Sequence, residues 1–211
     1  MSRIKRVEIH EFKHTAQNLG LLTNANTIGA VGYSKGQSIE LDKYAVVIET
    51  KDGCRGEYVT HWGGNQVACA QTKMLAPKLL EYKADEREKI YDDFKRELRQ
   101  FDHMGHGPLD IALWDWAGKF LNCSITVLLG GYRKHLPAYA STYHGDRNGG
   151  LDSKEAFSDF AHQCFDMGYR AFKVHGWHEG NAKEEAENVL HIAREVGHKM
   201  ILMLEIGRAH V

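Results

Sequence analysis

The sequence predicts an α+β half followed by the start of a parallel β/α half. Three observations predict it. Residues 3–121 read as three strands and then three helices. Residues 136–204 alternate strand, helix, strand, helix, strand. A Gly130-Gly131 turn stands between the two patterns. The chain has 211 residues, 43% hydrophobic and 26% charged, which is a globular composition and excludes a disordered chain.

The elements follow in order. Residues 3–12 alternate Ile4, Val7 and Ile9 with charges, as a half-exposed strand does. Residues 15–38 are rich in Gly, Asn, Thr and Ser and read as a long functional loop, a lid or binding loop. Residues 44–50 (YAVVIET) and 54–60 form a hairpin across Asp52-Gly53, which completes a three-stranded antiparallel sheet. Helices are predicted over 66–82, with Pro77 inside, and over 86–101, started by Asp85 with Glu88 three residues later. A third covers 108–121, with Pro108 in its first turn. In the second half, strands are predicted at 136–143, 171–175 and 200–204. Helices lie between them at 153–167, capped by Asp152 or Ser153, and at 181–196, capped by Asn181. Right-handed parallel crossovers are expected.

The charge balance, Lys+Arg 27 against Asp+Glu 28, gives a nucleic acid or an anionic membrane no electrostatic footing. The N-terminus lacks the apolar run of a signal peptide, and no apolar stretch approaches the ~20 residues of a membrane span. Cys54, Cys69, Cys123 and Cys164 are widely spaced with no C-x-x-C, so reduced thiols and a cytoplasmic location are expected. His103 and His106 flank a glycine turn, and His175 with His178 forms H-x-x-H; a metal reading of either needs acidic companions. Gly130-Gly131 precedes a strand, so no phosphate-cradling loop is indicated.

Two segments carry more information: LDIALWDWAGKFLNCSITVLLGG at 109–131 and GYRAFKVHGW at 168–177. With the strand-helix order, they resemble the mandelate racemase/muconate lactonizing enzyme family of the enolase superfamily. The resemblance implies an α+β N-terminal capping domain over residues 1–130. Residues 131–211 would then hold the first two to three βα units of a (β/α)8-type, TIM-like barrel, truncated at its C-terminus. It also implies a Mg2+ cofactor, a small-molecule carboxylate substrate (hydroxy acid or acid sugar), and a homo-oligomer for the full-length parent. The family's chemistry is abstraction of the proton α to a carboxylate, giving an enediolate that the metal stabilises. A dehydratase is the first expectation. A racemase or cycloisomerase of the same superfamily, or a non-catalytic α+β oligomerisation module, is the alternative. The fragment itself is expected to be inactive.

In ALWDWAGK, residues Ala112, Leu113, Trp116 and Ala117 are spaced to bury one side, read as packing between cap and barrel. Asp115 and Lys119 form an i,i+4 pair of structural character. In AFKVH, strand alternation turns Lys173 and His175 one way and Phe172 and Val174 the other. In a barrel, Lys173 and His175 would face inward at the strand's C-terminal end, where barrel active sites lie. The family commonly has Lys-x-Lys there with the second lysine as base. Here His175 takes that place, with Lys173 as electrostatic partner of the substrate carboxylate. Thr142, Tyr143 and His144 end the first barrel strand and can face the same site. His61 and Trp62 follow the cap hairpin, and the resemblance gives their loop a substrate-closing role.

The resemblance puts metal-ligating carboxylates at the ends of the third to fifth barrel strands. Glu205 stands at the first of these positions. The last seven residues, EIGRAHV, also back-translate into the start of a common sequencing-adapter oligonucleotide, so residues 205–211 read as a foreign tail. Sequencing of source DNA across codon 205 is expected to depart from EIGRAHV after Leu204. An uninterrupted match would overturn that expectation.

Overall fold

Strand β1 spans Ile4–Leu21, β2 Val31–Thr50 and β3 Arg55–Val59, in the sheet order β1-β2-β3. The computed structural model describes residues 2–21, 31–61, 66–142, 144–145, 147, 150–177 and 181–205. Helices α1 (Gln66–Leu79), α2 (Arg87–Glu97), α3 (His106–Phe120) and the short α4 (Ile125–Leu128) follow. Then come β4 (Ala140–Ser141), α5 (Lys154–Asp166), β5 (Ala171–Val174), α6 (Ala182–Val196) and β6 (Ile201–Leu204). The chain forms two compact units: residues 1–14 with 40–134, and residues 15–39 with 135–211. Among the described residues, no helix is long and apolar enough to cross a membrane.

In unit one, β2 and β3 pair antiparallel, with Val46 opposite Tyr58 and Ile48 opposite Gly56. Alternation along β2 buries Tyr44, Val46 and Ile48 completely, and these meet Leu79, Phe94 and Leu113 from the helices. Each aliphatic or Phe side chain so buried is worth about 1.5–3 kcal/mol. The buried side of ALWDWAGK lies on β3 inside this unit, so the expected cap–barrel role is replaced by packing of helix on sheet. Gly56 makes that contact possible: a Cβ there would run into the Ala112 carbonyl oxygen and lie 2.6 Å from the Trp116 Cβ. The Trp116 indole donates to Thr50 Oγ1 at 2.9 Å. Asp115 accepts the Glu57 backbone N–H at 2.8 Å and pairs with Lys119 at 2.7 Å. Its role is to tie α3 to the sheet.

Unit two has the parallel sheet β4-β5-β6, with Ser141 beside Lys173 and Lys173 beside Met203. Helices α5 and α6 pack on one face of it. Phe157, Ala161, Ile192 and Val196 meet Phe172 and Val174 there, all with at most 1% exposure. Ser153 caps α5 by accepting the Ala156 N–H, and Asn181 caps α6 by accepting the Glu184 N–H. Gly168 follows α5 with φ +102°, a left-handed residue that ends the helix at little cost.

Three further readings need correction. Residues 15–21 and 31–38 are strand, not loop, so β1 and β2 continue where a lid was expected. Backbone pairing explains this, because polar side chains are tolerated along exposed strands; Asn18 Oδ1 accepts the Gly36 N–H at 3.0 Å. The rest of that predicted loop, 22–30, lies outside the described residues. The strand at 136–143 shrinks to Ala140–Ser141, since only these two pair with β5. Asp85 does not cap α2: Glu86 occupies the N-cap position and accepts the Lys83 N–H with its carboxylate. Helix α4, capped by Ser124, was not foreseen in ITVLL.

His106 begins α3, 6% exposed, with the Tyr91 and Phe94 rings 5.1 and 5.9 Å away. Burial pushes its pKa below the ordinary 6.5, with Asp110 acting the other way. The unfolded chain thus binds this proton more tightly than the fold does. Stability from His106 is full above pH ~6.5 and is lost as pH falls towards the depressed folded value. Burial raises the pKa of Asp110 from its ordinary 3.8, so its contribution to stability declines as pH rises above that value. The urea midpoint of unit one is expected to drop as pH falls below about 6.5. His106→Leu should flatten that dependence; an unchanged slope would refute the assignment. Gly56→Ala should cost about 1–3 kcal/mol in the same denaturation, from overpacking against backbone. Wild-type stability in that variant would show that α3 can move off β3.

Candidate active site

The C-terminal ends of β4, β5 and β6 bring several polar side chains together. Because alternate residues of β5 face opposite ways, burying Phe172 and Val174 under the helices turns Lys173 to the other face, as predicted. His175 follows in the same phase. Lys173 Nζ donates to Glu205 Oε2 at 2.7 Å and lies 5.4 Å from the centre of the Tyr139 ring. The Glu205 carboxylate holds the Lys173 ammonium above the usual lysine range, against the effect of burial. Lys173 is therefore a fixed cation. Glu205 is placed by backbone pairing, since its N–H donates to the Val174 carbonyl at 2.9 Å.

The His175 ring stacks on His144, with centroids 3.7 Å apart and planes tilted by 42°. The backbone holds both. The His175 N–H donates to Thr142 Oγ1 at 2.7 Å, and His144 Nδ1 lies 3.2 Å from the Gly176 carbonyl. The Gly145 N–H donates to that same carbonyl at 3.2 Å, which joins the loop after β4 to the loop after β5.

The predicted residues Thr142, His144, Lys173, His175 and Glu205 thus gather at one end of one sheet. Tyr143 and Trp62 lie outside the described residues. His61 belongs to unit one, exposed just after β3, where its carbonyl accepts from the Lys43 ammonium. Mg2+ prefers several oxygen ligands in a near-octahedral set. Here the described residues offer the single carboxylate of Glu205, already paired with Lys173. Among them no three His, Cys, Asp or Glu side chains form a group that could hold a metal. This donor set does not fit Mg2+.

Residues 34–130 match the N-terminal domain of the mandelate racemase / muconate lactonizing enzyme family. The capping-domain sheet and helices lie within that match, and the parallel sheet follows it.

The chain thus carries this family's N-terminal domain over residues 34–130.

Its fold is that family's α+β capping domain followed by a partial parallel sheet. It is 29% identical over 181 residues to a 3,6-anhydro-alpha-L-galactonate cycloisomerase of Streptomyces coelicolor, covering 81% of this chain and 48% of that protein. Its fold matches a D-glucarate dehydratase from Agrobacterium tumefaciens complexed with magnesium, at TM-score 0.78 and 24% identity, over 96% of this chain and 53% of the other. It also matches a dipeptide epimerase from Enterococcus faecalis complexed with Mg and L-Leu-L-Tyr, at TM-score 0.74 and 18% identity, over 99% and 55%. The chain spans about half the length of these relatives.

Sequence reasoning missed three side chains that pack beside the loops after β4 and β5: Arg147, Trp177 and Glu185. The Arg147 guanidinium lies 3.9 Å from the centre of the Trp177 ring and pairs with Glu184 at 2.7 Å. The Trp177 indole donates to the Leu151 carbonyl at 2.8 Å. One signal was available: an acidic residue in the first turn of a helix, close after a Gly-Trp that ends a strand.

Proposed function

We propose that this chain is part of an enzyme that removes the proton α to a carboxylate, with His175 as the base. The observation that supports this best is the placement of His175 beside a lysine held charged, both on the sheet face away from the helices. Imidazole titrates near neutral pH without strong tuning, so His175 can accept a proton under ordinary conditions. Lys173, kept protonated by its carboxylate neighbour, is unsuited to be the base and suited to oppose negative charge on a substrate carboxylate. Thr142 and His144 line the same place and hold the base in position.

Hydroxy acids and acid sugars are the proposed substrate class, and dehydration the proposed outcome, as in the D-glucarate dehydratase whose fold matches. The cycloisomerase relative favours a second reading, in which the same proton abstraction leads to isomerisation. Relatives are described with magnesium. Mg2+ dependence of a whole enzyme carrying these residues would require carboxylates beyond Glu205. We assign residues 1–130 to the cap and 131–211 to the barrel, and a cytoplasmic homo-oligomer as the working form of the whole protein.

In an active whole enzyme carrying these residues, His175→Asn should slow exchange of the substrate α-proton with D2O by about 10²–10⁴-fold. A panel of hydroxy acids and acid sugars followed by proton NMR reads this directly. Exchange at the wild-type rate would refute the base role.

A further inference from the structure

We propose that Glu185 is the positioning residue for the His144/His175 pair, acting through the backbone of Gly176 and Trp177. This rests on the reading of His175 as base. Glu185 lies in the first turn of α6, and its own N–H donates to the Asn181 carbonyl at 2.9 Å, which fixes the turn. Its side chain reaches back to the end of β5, where Oε1 accepts the Trp177 backbone N–H at 2.5 Å. A charged acceptor makes such a bond stronger than a neutral one.

Gly176 leaves room for this. A Cβ at that position would fall on the Glu185 carboxylate. The carboxylate therefore occupies the space a side chain would fill, against the residue whose carbonyl receives both His144 Nδ1 and the Gly145 N–H. Trp177 anchors the other side. Its indole is 7% exposed, meets the Phe157 ring edge to face at 5.2 Å, and donates to Leu151. A Cβ at Gly145 would strike the same indole. Glu185 thus holds one short peptide segment, and that segment sets where both imidazoles sit. Its bond is to the Trp177 backbone, so its role is positioning.

Side-chain NMR of the 211-residue chain tests this. The His144 and His175 ring signals are assigned through His144→Asn and His175→Asn, and Trp177 amide exchange is followed in parallel. Glu185→Asp keeps the charge but shortens the reach by one methylene. It should lose the mutual ring-current shifts of the two histidines and speed Trp177 amide exchange at least about 10-fold. Glu185→Gln keeps the acceptor and the length, and should retain both signatures. Gly176→Ala should displace the carboxylate, which is the movable end of a flexible side chain, and reproduce the Asp variant. Unchanged histidine shifts in Glu185→Asp and Gly176→Ala would overturn the proposal. So would loss of both signatures in Glu185→Gln with retention in Glu185→Asp, since charge rather than reach would then matter. The Phe157 and Phe172 signals report whether unit two stays folded. Because no turnover is read, a failed base assignment for His175 would leave these results intact and is separately visible in the exchange assay.

Discussion

The two-residue period of β5 is the constraint on which the site depends. Phe172 and Val174 are needed by the core under α5 and α6, and burying them leaves no choice for their neighbours. Lys173 must emerge on the opposite face, and His175 follows in phase. A slip of one residue would bury a lysine and expose a phenylalanine. The hydrophobic effect that builds unit two therefore also aims its chemistry. A parallel sheet adds a second restriction: every strand delivers its following loop to the same end. Residues far apart in sequence, such as Thr142, His175 and Glu205, are brought together by this common direction.

What the strands deliver, the loops must still hold. The ladder ends at β4 and β5, yet the carbonyl of Gly176 continues to receive donors from His144 and Gly145. Close approach of these two loops depends on missing side chains. At Gly145 a Cβ would meet the Trp177 indole, and at Gly176 it would meet the Glu185 carboxylate. Buried polar groups with good partners rigidify a site more than apolar packing does, because a displaced partner leaves a costly unpaired group. Unit one uses the same device for a structural end, where Gly56 admits α3 and Asp115 satisfies a sheet N–H.

Much of this was legible in the sequence. The period along β5, the caps Ser153 and Asn181, and the buried side of α3 each follow from rules that act over a few residues. The failures share a cause. Residues 15–21 and 31–38 looked like loop because their composition is polar, but exposed paired strands need no apolar face. Residues 136–139 looked like strand, but a strand exists only where a partner pairs with it, and pairing is not local information. The Asp85 cap failed because Ser, Asp and Glu compete for turn N–H groups within a residue or two of each other, and Glu86 bonded Lys83 instead. Glu185 was missed for a related reason. Its partner is the Trp177 backbone, and backbone groups carry no mark in the sequence.

The division of labour on β5 follows from charge. Two lysines two residues apart on one strand face would have to share a small region, and one would need its pKa pushed down to serve as a base. Here Lys173 is fixed in the protonated state by a carboxylate 2.7 Å away, which removes it from proton transfer. On the proposed reading, the base is the imidazole of His175. The two imidazole rings stand 3.7 Å apart at the end of the same sheet. A Mg2+ at Glu205 would have to compete with Lys173 for the only carboxylate among the gathered residues. One carboxylate paired with an ammonium makes no divalent-cation site among the described residues.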